Sequence, residues 1–415
     1  MNGQLTVSMI VKDEERFLPQ CLASVRGVAD EILVVDTGSA DHTVDIARSF
    51  GAQVVEIAWP NDFSKARNVG LDLVKTPWVL ILDADEELVS DDASTLQQAI
   101  EHPFADAYNL RIVSLMDRAE DISESYVTRL FRSHPKIRFT GAVHEQVFPA
   151  VQGLGMAIRP LDVRLLHKGY LAAVVRGKDK GRRNLQLIQS QLNNKSDDAY
   201  MQWQLAQTLL GNGEAQLSQA AARKALSLIP VEHPLWVLAQ YTYARTLEFG
   251  GQPKRALRVL REGQVAFPAY TDFYYLQGCI QMRLEQWEQA EKSFRKCLEL
   301  GEPKGFLMTE TGIGGFKSLY RLSQVLHAQN RPQEALATLL VALGKNPPFR
   351  EGWQGMFTIL VGSNIHAVLD AVLLSLPLDT VINTISQWQN RNSNEENLLL
   401  AAQERWRANQ QNSTT

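Results

Sequence analysis

Cysteine is rare in this sequence of 415 residues, and its scarcity excludes two kinds of structure. The three cysteines are Cys21, Cys279 and Cys297, and their spacing fits neither a disulfide framework nor a zinc site. Such sparse usage is typical of a reducing compartment, so we expect a cytoplasmic protein. A basic surplus is also lacking, since the net charge is −4, and this argues against nucleic acid as the main partner.

Long apolar runs are missing as well. No stretch reaches the roughly 20 apolar residues that a transmembrane helix requires, so we expect no membrane span. The first apolar run, Leu5–Val11, has the length of a strand. Basic residues follow this run instead of preceding it, which is unlike a signal peptide.

The first half of the chain alternates strand-like and helix-like segments with short links. This pattern predicts an α/β domain with a mainly parallel sheet that becomes mixed after Ala107. The predicted strands are Leu5–Val11, Glu31–Val35, Gln53–Ile57, Trp78–Leu82, Tyr108–Val113, Val127–Arg132, Val143–Phe148 and Arg159–His167. The predicted helices are Glu14–Val25, Asp41–Phe50, Ser64–Val74 and Asp91–His102.

From about Arg176 the composition shifts to Ala, Leu and Gln at helical spacing. Four windows share small or apolar residues at matching positions, for example Ala206 with Ala222 and Ala244 with Ala256. The pattern resembles the tetratricopeptide repeat, a helical hairpin with a period of about 34 residues. We therefore predict four segments: residues 1–175 as the α/β domain, 176–198 as a basic helical linker, 199–347 as about four repeats, and 348–415 as a helical cap with a disordered tail from Gln410.

A buried strand runs directly into four acidic residues, in the sequence Leu82-Asp83-Ala84-Asp85-Glu86-Glu87. Ligand sites of parallel sheets lie at the carboxyl ends of strands, so Asp83 and Asp85 are predicted at the mouth of a crevice. Paired carboxylates suit Mg²⁺ or Mn²⁺. An exposed acidic loop that precedes a helix is the alternative interpretation.

A second carboxylate, Asp36, follows the strand Glu31–Val35 and opens the sequence Asp-Thr-Gly-Ser. Its place at a strand end suits contact with a ribose or a base. The alternative is that Asp36 starts the turn and that Ser39 or Asp41 caps the next helix.

Four blocks together resemble the family 2 glycosyltransferases, within a subgroup that is fused to tetratricopeptide repeats. The blocks are Ser8-Met-Ile-Val-Lys-Asp-Glu-Glu15, Leu33-Val-Val-Asp-Thr-Gly-Ser39, Asp62-Phe-Ser-Lys-Ala-Arg-Asn68 and Leu82-Asp-Ala-Asp-Glu86. The resemblance covers roughly residues 5–170 and implies the nucleotide-binding fold called GT-A.

The resemblance also implies a nucleotide-sugar site. Its predicted members are Lys12, Glu14, Asp36, Arg67, Asn68, Asp83 and Ala84. Asp85 would bind the metal. His167, in a segment that resembles the His-x-Gly-Tyr of the family, would be a second ligand. The alternative is a histidine at a strand end whose hydrogen bonds are made within the protein. Arg67 is open to an ion pair with Asp83, with a phosphate or with Asp62.

An inverting enzyme needs a base that takes the proton of the acceptor. The sequence Val143-His144-Glu145 offers two, with Glu145 preferred and His144 second, although the usual Glu-Asp pair is absent. Both are predicted on a strand, where neighbours point to opposite faces. Basic residues at 129–138 either meet an acidic acceptor or balance the charge of the acidic crevice. Those at 176–183 either close over the diphosphate leaving group or lie on a solvated first helix.

These features and the resemblance predict a glycosyltransferase that moves a sugar from a nucleotide donor to a hydroxyl or thiol acceptor. The resemblance implies that the donor is a UDP-sugar and that the anomeric configuration is inverted. The repeats would bind the acceptor or a partner protein, or form a homodimer. Two alternatives stay open: a repeat scaffold with a degenerate nucleotide-sugar domain, and a nucleotidyltransferase. The sugar, the acceptor and the linkage are left undetermined.

Overall fold

The computed structural model describes residues 4–115, 122–168, 173–302, 311–362, 364–388 and 390–412. The chain divides into two compact units. The first unit extends to Thr246 and the second begins at Leu247. This division falls within the predicted repeat region, and the boundaries of the four predicted segments stay predictions.

The first unit contains one mixed eight-stranded sheet. Its strands are β1 Leu5–Val11, β2 Glu31–Asp36, β3 Gln53–Glu56, β4 Trp78–Ile81, β5 Glu86–Leu88, β6 Ala107–Leu115, β7 Ile122–Arg132 and β8 Ile158–His167. The order is β3-β2-β1-β4-β7-β6-β8-β5. Strands β1 to β4 are mutually parallel, and β7 enters antiparallel beside β4. The predicted α/β fold, mainly parallel first and mixed later, is confirmed.

Helices cover this sheet because its central strands are apolar on both faces. Every residue of β4 is buried, and so are all residues of β1 except Ile10, which is partly exposed. The helices of this part are α1 Leu18–Ser24, α2 Thr43–Ser49, α3 Phe63–Leu73, α4 Ala93–Glu101 and α5 Phe148–Gly153. Parallel strands that are buried on both faces read as continuous hydrophobic runs, which is why their positions could be predicted.

One prediction for this part is wrong, and one strand was not predicted. The segment Val143–Phe148 is not a strand: it lies in a loop that leads into α5, and an isolated bridge between Thr140 and Gln146 closes this loop. Gly141 and His144 have φ angles of 105° and 52°, in the left-handed region, which no strand contains. Strand β5, Glu86–Leu88, was not predicted, because three residues carry too little periodicity.

Helices continue the first unit after the sheet: α6 Ala173–Asn194, α7 Ala199–Gly211, α8 Ala215–Leu228 and α9, which starts at Pro234 and ends at Phe249. Helices α7 and α8 form a hairpin. Ala206 and Ala222 are fully buried between them, and Ser218 Oγ donates to the carbonyl of Ala206 at 2.6 Å. Small side chains let the two helices approach closely, as the repeat pattern predicts.

The second unit is helical. Its helices are α10 Pro253–Ala266, α11 Thr271–Arg283, α12 Trp287–Leu300, α13 Phe316–Ala328, α14 Pro332–Lys345, α15 Arg350–Ile359, α16 Ile365–Leu373, α17 Leu378–Ser386 and α18 Ser393–Asn412. In the α11–α12 hairpin the ring of Phe294 fills the space where a Cβ on Gly278 would stand, 2.7 Å away. The predicted helical repeats are confirmed.

Helix α18 continues to Asn412, so the predicted disordered tail from Gln410 is helical at its start, and its last three residues lie outside the described residues. Among the helices that the structure describes, none has by itself the length and apolarity of a membrane span. Helices α16 and α17 pass that test only as a pair, with a bend of 117° between them.

Candidate active site

A tight turn between β4 and β5 carries the acidic cluster. The backbone N–H of Asp83 donates to Glu86 Oε2 at 2.9 Å, and the N–H of Glu86 donates back to the carbonyl of Asp83 at 3.0 Å. Glu86 is 2% exposed. Its side chain therefore belongs to the inside of the turn, and the turn presents Asp83 and Asp85 at the carboxyl end of β4, as the sequence predicts.

Two arginines hold the carboxylate of Asp83 from opposite sides. Arg67 Nη2 on α3 lies 2.6 Å from Oδ1, and Arg129 Nη2 on β7 lies 2.7 Å from Oδ2. The same Arg129 nitrogen lies 2.8 Å from Glu86 Oε1. Arg129 thus joins Asp83 and Glu86, and of the two roles that the sequence left open for it, the structure shows charge balance.

The arginines separate the pKa values of the two carboxyls. Burial favours the neutral form of Asp83, but the charges of Arg129 and Arg67 outweigh it and hold its pKa well below the usual range. For Glu86 burial dominates over the charge of Arg129, and with the negative charge of Asp83 it raises the pKa to about 7. Asp83 is therefore ionised at neutral pH, whereas Glu86 holds its proton more tightly than an ordinary glutamate does.

Arg67 also reaches the predicted base. Its Nε lies 2.5 Å from Glu145 Oε1, and the side chain of Glu145 is 12% exposed. Arg67 itself is 7% exposed at its side chain, and its Nη1 is buried with no hydrogen-bond partner among the described residues. Arg67 therefore pairs with Asp83 and Glu145 and not with Asp62, whose carboxylate caps α3 at Lys65.

The two predicted metal ligands come together through strand pairing. Glu86 of β5 lies opposite His167 of β8, and this register brings His167 Nε2 to 3.3 Å from Asp85 Oδ2. Ser114 Oγ lies 3.3 Å from the other ring nitrogen, Nδ1. Burial lowers the pKa of His167, but the hydrogen bond and charge of Asp85 raise it by more, so the net shift is upward.

These two residues fit a divalent ion that takes its other ligands from a diphosphate. One carboxylate oxygen and one imidazole nitrogen face each other, and the Nδ1 contact with Ser114 is the type of outer contact that orients a histidine ligand. Within the described part of the chain there is no group of three or more His, Cys, Asp or Glu side chains that could hold a metal. Metal binding and the identity of the ligands stay predictions.

Asp36 is 2% exposed and its carboxylate bonds within its own turn. It accepts from the N–H of Gly38 at 2.9 Å and from the N–H and hydroxyl of Ser39 at 3.0 and 2.5 Å. Asp36 therefore shapes the turn after β2, and its contact with a nucleotide stays a prediction. Lys12 is exposed beside this turn, at the end of β1, and the N–H of Glu14 donates to Thr43 Oγ1 at 2.7 Å.

Asn68 uses both ends of its amide on one backbone position. Its Nδ2 donates to the carbonyl of Phe139 at 3.0 Å, and its Oδ1 accepts from the N–H of Phe139 at 2.9 Å. Ala84 is buried at 5% exposure. Asn68 therefore fixes the backbone of the segment before Gly141. A nucleotide contact for Asn68 or Ala84 stays a prediction.

Several predictions fall on parts of the chain that the structure does not describe. Gly169 and Tyr170 of the histidine segment lie outside the described residues, and so do the side chains of Arg176, Lys178 and Lys180. Arg183, the last residue of that basic run, lies with its guanidinium 5.2 Å from the ring centroid of Phe63.

Comparison with known proteins finds a family match in the N-terminal α/β domain and another in the helical region. Residues 6–149 match the family model of glycosyl transferase family 2. The N-terminal domain is thus similar to the family 2 glycosyltransferases. Residues 271–300 match the tetratricopeptide repeat, so the resemblance seen in the sequence is confirmed at both ends.

Curated relatives carry the same two names. A TPR repeat-containing protein of Synechococcus elongatus is 33% identical over 54% of this chain and 57% of its own length. The glycosyltransferase SunS of Bacillus subtilis is 27% identical over 45% of each chain. The chain thus spans about half the length of these relatives. Residues 1–349 of S. aureus TarS, solved in complex with UDP-GlcNAc, align with 68% of this chain and 92% of that one at 15% identity and a TM-score of 0.35.

Proposed function

We propose that this protein is an inverting glycosyltransferase that transfers a sugar from a nucleotide donor, a UDP-sugar, to a hydroxyl or thiol acceptor. One observation carries the proposal. The buried Arg67 joins Asp83 of the acidic turn to Glu145, the predicted base, within 2.6 Å of each. A donor site and a base are thereby neighbours at the carboxyl end of β4, where ligands of such sheets bind.

Asp85 and His167 form the part of the site that would hold Mg²⁺ or Mn²⁺. A hard carboxylate oxygen and an imidazole nitrogen suit these ions, whose remaining positions diphosphate oxygens can fill. An ion bound there supplies positive charge against the diphosphate on which negative charge develops. Ser114 supports this arrangement by fixing the ring of His167 through Nδ1.

Glu145 is the residue that would take the acceptor proton. Arg67 Nε bonds Oε1, which leaves Oε2 as the oxygen that can face the acceptor. The acceptor oxygen or sulfur then forms a bond to the anomeric carbon as the bond from that carbon to the diphosphate breaks, and the proton passes to Glu145. The nucleoside diphosphate leaves, and direct displacement inverts the anomeric configuration.

Arg67 and Arg129 position Asp83 and do not take part in the proton transfer. Both oxygens of Asp83 are fixed by charge-assisted hydrogen bonds, which are stronger than neutral ones and set the direction of the carboxylate. A site that is rigid before the donor binds loses little free energy when it orders around that donor. We assign acceptor or partner binding, or homodimer formation, to the repeats, whose hairpins present extended surfaces for proteins.

The test is nucleoside diphosphate release by the purified full chain from a panel of nucleotide sugars, with and without Mn²⁺. We expect one donor to be hydrolysed slowly in a metal-dependent manner. Asp85→Asn should reduce that rate about 100-fold or more, because metal-ion stabilisation of the leaving group contributes several kcal/mol.

Asp91→Asn is the matched control, since Asp91 follows closely in the chain but lies exposed beyond β5. Its rate should equal that of the unmodified protein. Failure of every donor to bind at millimolar concentration with metal present would overturn the proposal and leave the repeat scaffold as the better account. Release of pyrophosphate from a nucleoside triphosphate would instead identify a nucleotidyltransferase.

A further inference from the structure

The loop that carries the predicted base is closed on itself. Thr140 and Gln146 exchange two backbone hydrogen bonds, of 3.0 and 2.9 Å, and the residues between them form the loop. We call residues 140–146 the base loop. Because His144 adopts a left-handed φ angle of 52°, which costs free energy in a residue other than glycine, this backbone depends on outside contacts to keep its shape.

Contacts from the helices that follow the sheet hold this loop. The hydroxyl of Tyr200, in the first turn of α7, donates to the carbonyl of His144 at 3.2 Å. It also accepts from Gln146 Nε2 at 2.7 Å and from Gln204 Nε2 at 2.8 Å. A phenol has one donor and two acceptor sites, so all three are used here.

Helix α6 adds two further contacts. Gln191 Oε1 accepts from the N–H of Ala142 at 2.7 Å, and the side chain of Val143 packs against Leu187 and Ile188 in one buried cluster. Gln191 Nε2 lies 3.3 Å from Asp198 Oδ2, and Asp198 caps the start of α7. The two helices are thereby tied to each other at the point where they meet the loop.

Helix α3, which carries Arg67, contacts the base loop at other atoms. The N–H of Phe63, the first residue of α3, donates to the carbonyl of Ala142 at 2.9 Å. Arg67, one turn further along α3, bonds Glu145. The loop is therefore fixed between α3 on one side and α6 and α7 on the other, all within the first compact unit.

We propose that Tyr200 is a positioning residue of the transfer reaction. Helix α7, the first helix of the repeat region, thereby helps to hold the predicted base in place. Tyr200 does not touch the reacting atoms: it acts by holding the backbone carbonyl of His144 and the side chain of Gln146, the two neighbours of Glu145. The proposal rests on the proposed function, since it takes Glu145 as the base. It also gives the helical region a role other than partner binding.

The experiment compares the full chain with Tyr200→Phe, which keeps the ring and removes the hydroxyl. We expect kcat to fall about 10- to 100-fold, the range that displacement of a catalytic group by less than about 1 Å produces. The KM for the donor should stay within about two-fold, because the metal and nucleotide side of the site is untouched. Amide hydrogen exchange of residues 140–146 should become faster, while exchange in β1 and β4 stays unchanged.

Tyr274→Phe is the matched control. The hydroxyl of Tyr274 donates to the carbonyl of Pro268 at 3.1 Å in the second unit, so its removal deletes one tyrosine hydrogen bond away from the base loop. Neither kcat nor exchange in the loop should change. Gln146→Leu provides a second route, since it removes the donor to Tyr200 and leaves α7 intact.

If both substitutions act through the same contact, the double variant with Tyr200→Phe should be no slower than the slower single variant. Faster exchange with unchanged kcat, or multiplying effects on kcat, would overturn the positioning role. If the unmodified protein neither binds nor hydrolyses any donor, the proposed function fails. In that case the exchange measurement still decides whether Tyr200 holds the loop.

Discussion

Arg67 offers the sharpest test of how the site is stabilised. Two guanidinium groups, those of Arg67 and Arg129, face the three carboxyl groups of Asp83, Glu86 and Glu145. In Arg67→Met a single guanidinium would remain. Asp83 keeps Arg129 at 2.7 Å, whereas Glu145 loses its ion pair with Arg67 and is only 12% exposed.

The magnitude follows from that asymmetry. Removing one partner of a buried ion pair costs about 3–5 kcal/mol because it leaves an uncompensated charge. Since Asp83 retains a partner, we expect the low end, about 3 kcal/mol for Arg67→Met. With an m-value of about 2–3 kcal/mol per M for a unit of this size, the urea midpoint should fall by about 1 M.

The assay is urea unfolding followed by the fluorescence of tryptophan, with Trp78 buried in β4 at 1% exposure as the reporter of the first unit. Adding Glu145→Gln to Arg67→Met should recover about 2 kcal/mol, because a neutral amide no longer requires a cation. Arg48→Met is the control: its pair with Glu56 is more than half exposed on both sides, and its loss should cost less than about 1 kcal/mol.

Two results would refute this reasoning. The first is an Arg67→Met protein that unfolds at the same urea concentration as the unmodified chain. The second is a double variant that is no more stable than the single one, since the cost would then come from lost packing and not from the charge of Glu145.

Two further predictions concern other pairs. Arg350 donates two hydrogen bonds, of 2.9 and 2.7 Å, to the carboxylate of Glu395, whose side chain is fully buried. Burial favours the neutral acid, but the hydrogen bonds and charge of Arg350 outweigh burial, so the pKa of Glu395 is lowered. Because the folded pKa lies below the unfolded value of about 4.3, the stabilisation is present above that pH and is lost as the pH falls through the folded pKa. Arg350→Met should therefore lower the urea midpoint at pH 7 much more than at pH 3, and an equal loss at both would contradict the assignment. Asn68→Leu removes both bonds to Phe139 and should cost about 2 kcal/mol with an unchanged KM for the donor, whereas a raised KM would favour the nucleotide contact predicted from sequence.

Much of the fold was predictable because its signals are local. The runs Leu5–Val11 and Trp78–Leu82 are continuous and apolar, since the strands they form are buried on both faces, and such runs need no knowledge of their neighbours. The repeated small residues, such as Ala206 and Ala222, likewise record a close helix–helix approach directly in the sequence. The apolar run Trp78–Leu82 also marks the carboxyl end of β4, so the sequence predicts that Asp83 and Asp85 lie there.

The tertiary structure decided how these residues are paired. Arg67 and Glu145 are 78 positions apart, and nothing local marks Arg67 as the partner of both Glu145 and Asp83. The base loop contains a left-handed φ angle at His144, although the sequence of this segment predicts a strand. Tyr200 shows the same limit: its hydroxyl reaches back 54 residues to Gln146, and only chain folding brings such distant polar atoms into hydrogen-bonding distance. Sequence determines which segments become buried strands and helices, because burial patterning is local, whereas the partners of charged and polar side chains depend on contacts that only the folded chain creates.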